Sequence, residues 1–293
     1  MKTADSGRIR SSLREALLQS RNQDGTWPYM SGKQGRLEPT CWALLALGRA
    51  DGRGPDLDVL KGWRRRESWL INVDGAPPNQ AFNGFAGVTF LAQPHGQDLI
   101  APLATRVIEA KGVRFPSSDI IQLDASLQAW SWVDGTASWV EPTAWCLLAQ
   151  KQWSAVPGAV GDRTRIVVAE QMLVDRCCAK GGWNYGNANM LGQDLRPFVP
   201  TTALALLSLQ DRTSLPEVAR SVAFLEREAT SERSGTALAL ALMALRAYGR
   251  STAAVRDALI AQLPTTLGLG KIASAAMSLY ALSEAGRHAA VVL

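Results

Sequence analysis

The chain is poor in histidine and cysteine and contains no long apolar run. Its 293 residues include 2 His and 4 Cys, and the cysteines at positions 41, 146, 177 and 178 do not have the short paired spacings of a zinc site. The longest apolar run, 237–245, is about half of what a membrane-spanning helix needs. Residues 1–20 have neither the apolar core of a secretory signal nor the acid-poor composition of a transit segment. We therefore expect a cytoplasmic protein with free thiols.

Several motifs that carry chemistry are also missing. There is no Gly-rich phosphate loop, no nucleophile-elbow serine and no paired-cysteine ribbon. The net charge of +5 is not concentrated in an arm or a tail, so no nucleic-acid partner is predicted. The run Arg64-Arg65-Arg66 lies in a segment with helical spacing, which favours a solvated helix face over contact with phosphate or an anionic membrane surface.

Tryptophan, in contrast, is abundant, and the chain repeats itself. There are 10 Trp beside 6 Phe and 4 Tyr. Residues 38–47 and 141–150 are identical at seven of ten positions, and residues 199–208 keep the Pro-Thr pair and the Ala/Leu run. Further small-residue segments give starts near 39, 80, 142, 200, 235 and 272. The spacing of about 40 residues is typical of a helical repeat, with one insertion near 111–138.

The pattern of each repeat predicts a pair of helices. The Ala/Leu-rich helices are apolar nearly all round and must be buried, whereas more polar segments between them carry one apolar stripe. These polar segments span residues 9–18, 57–70, 103–110, 165–173, 218–228 and 253–263. The last unit is as apolar as the middle ones, so the stack must close rather than end in polar caps. The sequence predicts an all-α, single-domain α/α toroid of about six helix pairs over residues 1–293, with inner and outer rings.

Two short motifs carry a family resemblance. Gln19 followed by Gly25-Thr26-Trp27 resembles the end of the QW motif of squalene-hopene cyclases, and Gly181-Gly182-Trp183 looks like a degenerate second copy. The Gly permits a tight turn, and the indole covers a helix end while its N–H finds a carbonyl. The chain thus resembles the squalene-hopene cyclase and prenyltransferase superfamily, with its prenyltransferase and squalene oxidase repeat, and is class II terpene cyclase-like.

This resemblance implies a catalytic acid. The DxDD motif of class II cyclases is absent, and Glu141, before Pro142-Thr143-Ala144, takes the place of the proton-donating Asp. A helix N-terminus lowers the pKa of a Glu, which disfavours a proton donor. Glu38 has the same register in the first repeat, and two carboxyls meeting in a dry cavity would raise one pKa. Alternatively, both Glu residues satisfy free backbone N–H groups at helix starts.

Indole side chains are the expected lining of the site, because their faces stabilise a cation. The candidate substrate-binding residues are Trp42, Trp130, Trp132, Trp139, Trp145 and Trp183. The alternative is that these indoles only fill space between helices. Zinc, as in protein prenyltransferase β subunits, is not expected: Cys41 and Cys146 lie at inner-helix starts, but His95 and His288 lie outside comparable motifs.

The resemblance implies metal-independent, proton-initiated cyclisation of a linear isoprenoid in the central cavity, without a cofactor. The alternative is a non-catalytic toroid that binds an isoprenoid or a protein or peptide partner. A toroid of this kind has an open mouth, which a dimer partner or a second helical domain would cover. Peripheral membrane contact is compatible with an isoprenoid ligand.

Overall fold

The computed structural model describes residues 3–48, 58–93, 96–116, 120, 122–155, 161–283 and 289–293. Within these ranges the α-helices are α1 (Thr3–Gln19), α2 (Leu37–Leu47), α3 (Asp58–Lys61), α4 (Gln80–Leu91), α5 (Ile100–Glu109), α6 (Val140–Ser154), α7 (Arg163–Asp175), α8 (Val199–Ser208), α9 (Pro216–Glu228), α10 (Gly235–Ala247), α11 (Ala253–Gly268) and α12 (Ile272–Leu282). Two hairpins pair β1 (Arg65–Arg66) with β2 (Trp69–Leu70) and β3 (Asn189–Met190) with β4 (Gln193–Asp194). Short 3₁₀ turns span Gln97–Leu99, Ala229–Ser231 and Ala289–Val291.

The even-numbered helices form a closed inner ring. Each packs against the next, from α2 through α4, α6, α8 and α10 to α12, and α12 packs back against α2. Outside this ring, α5 packs on α4, α7 on α6, α9 on α8 and α11 on α10, while α1 packs on α12. The inner helices begin within about two residues of the predicted starts. The all-α prediction of an α/α toroid with six helix pairs is confirmed.

Burial explains the two rings. Every residue of α10 from Ala237 to Leu245 is buried, as the small-residue run predicts, so this helix touches neighbours on all sides. The outer helix α5 instead buries only Ile100, Leu103, Ala104 and Val107. This i, i+3, i+4, i+7 spacing is typical of a helix that packs on one face and exposes the other to solvent.

Three tryptophans fasten outer helices to inner ones in the same way. The indole N–H groups of Trp27, Trp130 and Trp183 donate to Leu17 O, Val107 O and Leu173 O, at 2.8, 2.6 and 2.6 Å. Their backbone N–H groups donate to Thr40, Thr143 and Thr202 Oγ1 at the starts of α2, α6 and α8. Gly181 makes the third turn possible, because its φ is +89° and a Cβ there would lie 2.6 Å from a backbone carbon of Arg220. Trp27 and Trp183 thus hold the helix pairs together, as their Gly-x-Trp motifs predict, and Trp130, which was predicted to bind substrate, makes the same contacts.

The segment 57–70 differs from its prediction as a long outer helix. Within its described residues only Asp58–Lys61 is helical, and a tight hairpin follows, with positive φ at Glu67 and Ser68. The indole N–H of Trp63 donates to Ile71 O across this hairpin. The arginine run therefore lies on a hairpin rather than on a helix face, and Arg64 pairs with Asp74 at 2.5 Å.

The residues between α5 and α6, where the insertion was expected, form no helix or strand in the part that the structure describes. They are held by Arg165, which donates to Gln128 O and Ala110 O and lies 4.4 Å over the Trp130 ring. The assignment of residues 1–293 to one domain stays a prediction. None of the described helices is both long enough and apolar enough to cross a membrane.

Candidate active site at the mouth of the ring

The amino-terminal ends of the inner helices form one mouth of the ring. An outer helix returns the chain between successive inner helices, so the inner helices run in the same direction. Four of the loops that precede inner helices each contain a hydrogen-bond acceptor. This acceptor binds the first backbone N–H group of the inner helix in the preceding repeat. Asn72 Oδ1, Trp132 O and Tyr185 O accept from the first residues of α2, α4 and α6. Tyr29 O, in the first loop, accepts from Ile272 of α12 at 2.9 Å and so closes the ring.

Glu38 and Glu141 place a carboxyl group in the first turn of two inner helices at this mouth. Glu38 is the only residue of α2 that is not buried. In α6, Glu141 is the only residue within 140–150 that is not buried. Both side chains are half-buried, in the first turn of an otherwise closed helix. The two inner helices therefore open to solvent at equivalent carboxyl groups.

Glu38 is the carboxyl that has donors. The Tyr29 hydroxyl donates to Glu38 Oε2 at 2.5 Å. The Trp42 indole N–H forms no full hydrogen bond with a described residue. It nevertheless lies near the Glu38 carboxyl, and this polar contact favours the ionised form and lowers the pKa of Glu38. Burial outweighs these donors, so the pKa of Glu38 lies above its usual value. Burial and the neighbouring Glu38 charge also raise the pKa of Tyr29, which keeps its hydroxyl a donor.

Glu141 is the carboxyl that retains its proton. Burial, followed by the charge of Glu38, raises the pKa of Glu141 to about 8. No donor to its carboxyl is found among the described residues. The expectation that the helix N-terminus would lower this pKa is wrong, because loss of hydration outweighs the helix dipole. The two carboxyls interact electrostatically across α4. With a pKa of about 8, Glu141 stays protonated at neutral pH.

The alternative role as helix-start acceptors has no support in this geometry. Neither Glu38 nor Glu141 accepts a hydrogen bond from a backbone N–H group within the described residues, and the N-cap residues Arg36 and Trp139 make no side-chain cap.

An aromatic layer fills the ring below the carboxyls. The Phe85 ring lies 4.5 Å from Trp42 and 4.4 Å from Trp145, centroid to centroid, and the two indoles are 5.8 Å apart. Tyr280 of α12 lies 5.9 Å from Trp42. All four residues are buried, so aromatic side chains from α2, α4, α6 and α12 pack together inside the ring.

The remaining candidate indoles are spread over different environments. Trp130 and Trp183 are fully buried in the wall as helix anchors. Trp132 is half-buried with its ring 6.2 Å from Phe82. Trp139, two residues before Glu141, is 38% exposed at the mouth. The structure therefore brings together Glu38, Glu141, Trp42 and Trp145, with Trp139 at the rim.

Sequence reasoning missed Tyr29, although a signal was present. An aromatic residue follows each anchor indole by two positions, giving the pairs Trp27/Tyr29, Trp130/Trp132 and Trp183/Tyr185. The second member of each pair is the one whose carbonyl caps the preceding inner helix. Its side chain is thereby held at the mouth.

No metal site is formed by the residues that the structure describes, where no three His, Cys, Asp or Glu side chains come together. Cys41 and Cys146 are free and buried, and burial raises the pKa of Cys41 to about 12. His95 and His288 lie outside the described residues.

No protein-family model matches the chain, and no curated protein has a matching sequence. Solved structures do match. An inactive variant of an α-1,6-mannanase from Salegentibacter sp. HEL1_6, with two neighbouring aspartates replaced by alanine and α-1,6-mannotetrose bound, has a TM-score of 0.61 and 9% identity over 94% of this chain and 98% of its own. A GH76 α-mannanase from Bacteroides thetaiotaomicron has a TM-score of 0.62 and 9% identity over 94% of both chains. A reducing-end-xylose-releasing exo-oligoxylanase has a TM-score of 0.58 and 11% identity over 96% and 92%.

At these identities the matches show the fold, and they correct the family expectation. The mannanases and the xylanase are α/α toroid glycoside hydrolases, so the resemblance to squalene-hopene cyclases and class II terpene cyclases is wrong as an assignment. Isoprenoid cyclisation and the alternative isoprenoid- or peptide-binding toroid are overturned with it, and so is the isoprenoid partner, because the ligands of the mannanases are oligosaccharides. The physical reason is that Gly-x-Trp anchors helix pairs, whereas the acidic motif that carries the cyclase chemistry is absent.

Proposed function

We propose that this protein is a glycoside hydrolase that binds an oligosaccharide across the mouth of the ring and cleaves a glycosidic bond with Glu141 and Glu38. The observation that carries the proposal is the pair of half-buried carboxyls with different environments. One has a pKa of about 8 and no donor, and the other accepts a hydrogen bond from Tyr29. Glycoside hydrolysis uses such a pair, one carboxyl protonated and one ionised.

In this mechanism Glu141 donates its proton to the oxygen of the leaving sugar as the bond to the anomeric carbon breaks. A water molecule attacks that carbon, and Glu38 accepts the proton that the water loses. Tyr29 donates its hydrogen bond to Glu38 throughout and fixes the direction of that carboxyl. Exposed Trp139 offers an aromatic face to the apolar face of a sugar ring.

The expected pH dependence follows from the two carboxyls. Activity requires Glu141 protonated, so it declines as pH rises through about 8. It also requires Glu38 ionised, so it declines as pH falls through the raised pKa of Glu38.

The test is hydrolysis of α-1,6-linked mannooligosaccharides and xylooligosaccharides, followed by chromatography of the released sugars. Glu141→Gln and Glu38→Gln should each lower kcat by about 100-fold or more, whereas Glu15→Gln, on the exposed face of α1, should leave it unchanged. Hydrolysis that survives Glu141→Gln would refute the assignment of the acid.

One observation favours a second candidate, an oligosaccharide-binding toroid without hydrolysis. The mannanase variant lost two neighbouring aspartates and is inactive, and this chain has no two neighbouring acidic residues anywhere in its sequence. Titration calorimetry with the same oligosaccharides separates the two candidates, because binding without any released sugar would support the second. The cytoplasmic location expected from the sequence stays a prediction.

A further inference from the structure

A cavity of about 570 Å³ lies beside the mouth and shares Trp139 with the proposed sugar-binding rim. Its size falls within the range of small-molecule sites. Its walls include Phe115, Trp139, Tyr185, Met190 and Phe198. Tyr185 and Phe198 are 55% and 45% exposed, with ring centroids 5.3 Å apart. Large aromatic side chains exposed side by side around a cavity indicate a binding surface.

Among the described residues that line the cavity, two arginines supply the only formal charges. Arg176 is 2% exposed. Its Nη2 donates to Asp124 O at 3.3 Å, and Asp175 Oδ2 lies 3.5 Å from its Nε. Its Nε and Nη1 complete no hydrogen bond with any described residue. Arg196 is exposed at the rim and has no ion pair or hydrogen bond within the described residues.

The Arg176 guanidinium is buried beside the carboxyl groups of Asp175 and Asp124, yet its Nε and Nη1 carry donors that no described residue accepts from. Such a group gains most from an anion, because hydrogen bonds between charged partners are stronger than neutral ones and strengthen where water is excluded. The apolar walls in turn favour a ligand whose body is apolar. An inorganic ion alone would leave the apolar walls in contact with water.

The cavity wall is also preorganised. Asn184 Oδ1 accepts from the N–H groups of Gly186 and Asn187, both at 3.0 Å, and Asn184 Nδ2 donates to Asn187 O at 2.7 Å. Gly186, with φ +150°, lies so near Trp139 that a Cβ would be 3.4 Å from the ring. Little conformational entropy is therefore lost when a ligand enters.

We propose that this cavity is a binding site for an organic anion with a planar apolar body, whose charged group lies at Arg176 and Arg196 and whose body packs on Trp139, Tyr185 and Phe198. The site is separate from the proposed acid and base, since neither Glu38 nor Glu141 lines the cavity, and it shares only Trp139 with the proposed hydrolysis. Its ligand need not be a sugar.

The test is isothermal titration calorimetry of the full chain with three probes: 2-naphthoate, neutral 2-naphthamide and acetate. We expect 1:1 binding of 2-naphthoate, binding of 2-naphthamide weaker by about tenfold or more, and no measurable heat from acetate. Arg196→Met should weaken 2-naphthoate by about tenfold and leave 2-naphthamide unchanged. Arg8→Met, on exposed α1, is the matched control and should bind like the wild type.

Equal affinity for 2-naphthoate and 2-naphthamide, or an Arg196→Met variant with unchanged affinity, would overturn the role of the arginines. Acetate binding as tightly as 2-naphthoate would overturn the role of the apolar walls. Because Arg176 is buried, its replacement can disturb folding. Tyr185→Ala, which keeps the backbone carbonyl that caps α6, is therefore the second variant and should weaken both naphthyl probes alike.

Discussion

Glu141 should make the stability of the protein depend on pH, and Glu141→Gln should remove the part of that dependence that Glu141 contributes. The ordinary pKa of a glutamate is 4.5, and that of Glu141 is about 8. The folded state therefore binds the proton more tightly than the unfolded chain. The stability contributed by this group is complete below pH 4.5 and is lost as pH rises through about 8.

The difference in pKa corresponds to at most about 5 kcal/mol. Because the Glu141 carboxyl keeps part of its contact with water, we expect about 2–3 kcal/mol. Glutamine imitates the protonated carboxyl. Glu141→Gln should therefore match the wild type near pH 5 and exceed its free energy of unfolding by about 2–3 kcal/mol near pH 9. Glu38→Gln should also raise the free energy of unfolding at high pH, because burial raises the pKa of Glu38 as well and its charge is the second cause of the raised pKa of Glu141.

The assay is urea unfolding followed by circular dichroism between pH 5 and pH 9 at constant ionic strength, with equal m-values as the condition for comparing variants. Glu15→Gln, on the exposed face of α1, is the control for the loss of one negative charge. If wild type and Glu141→Gln changed in parallel over this range, Glu141 would titrate normally, and its assignment as the acid would have no physical basis.

Two further predictions concern the packing of the ring. Trp183→Phe should lower the free energy of unfolding by about 1 kcal/mol more than Trp153→Phe. Of these two indole N–H groups, only that of Trp183 has an acceptor among the described residues, Leu173 O at 2.6 Å. Urea unfolding of both variants measures the difference. Gly87→Ala should lower the free energy of unfolding by about 1–3 kcal/mol, since the new Cβ would lie 2.2 Å from the Trp153 ring. Gly268→Ala should change it little, because no atom lies within 4 Å of a Cβ at that position. Equal melting temperatures for the two glycine variants would contradict the close approach of α4 and α6.

The helix pairs could be predicted because their signals are local. An Ala/Leu run that is apolar all round fits only a buried helix, and six such runs at regular spacing require a ring or a stack. The hairpin at 65–70 could not be predicted in the same way. Its apolar residues have helical spacing, but positive φ at Glu67 and Ser68 and the long-range bond from Trp63 select a turn.

The candidate carboxyls could be selected from the sequence, but their protonation could not. Glu38 and Glu141 are visible as equivalent positions of a repeated decamer. Which carboxyl keeps the proton depends on burial at the mouth and on the Tyr29 hydroxyl, both of which follow from ring closure. The family assignment was wrong for a related reason: a motif that anchors helix pairs reports on the architecture and not on the ligand.

The aromatic layer decides how a substrate can reach the proposed site. Trp42, Phe85 and Trp145 are buried, with centroid distances of 4.4–5.8 Å, so no polymer can pass through the ring at that level. Glu38 and Glu141 lie in the first turns of α2 and α6, on the solvent side of this layer. An oligosaccharide must therefore lie across the mouth, where its two ends stay in solvent, and chain length should affect binding only through the sugars that contact the rim. Hydrolysis that requires a threaded substrate would be incompatible with this packing.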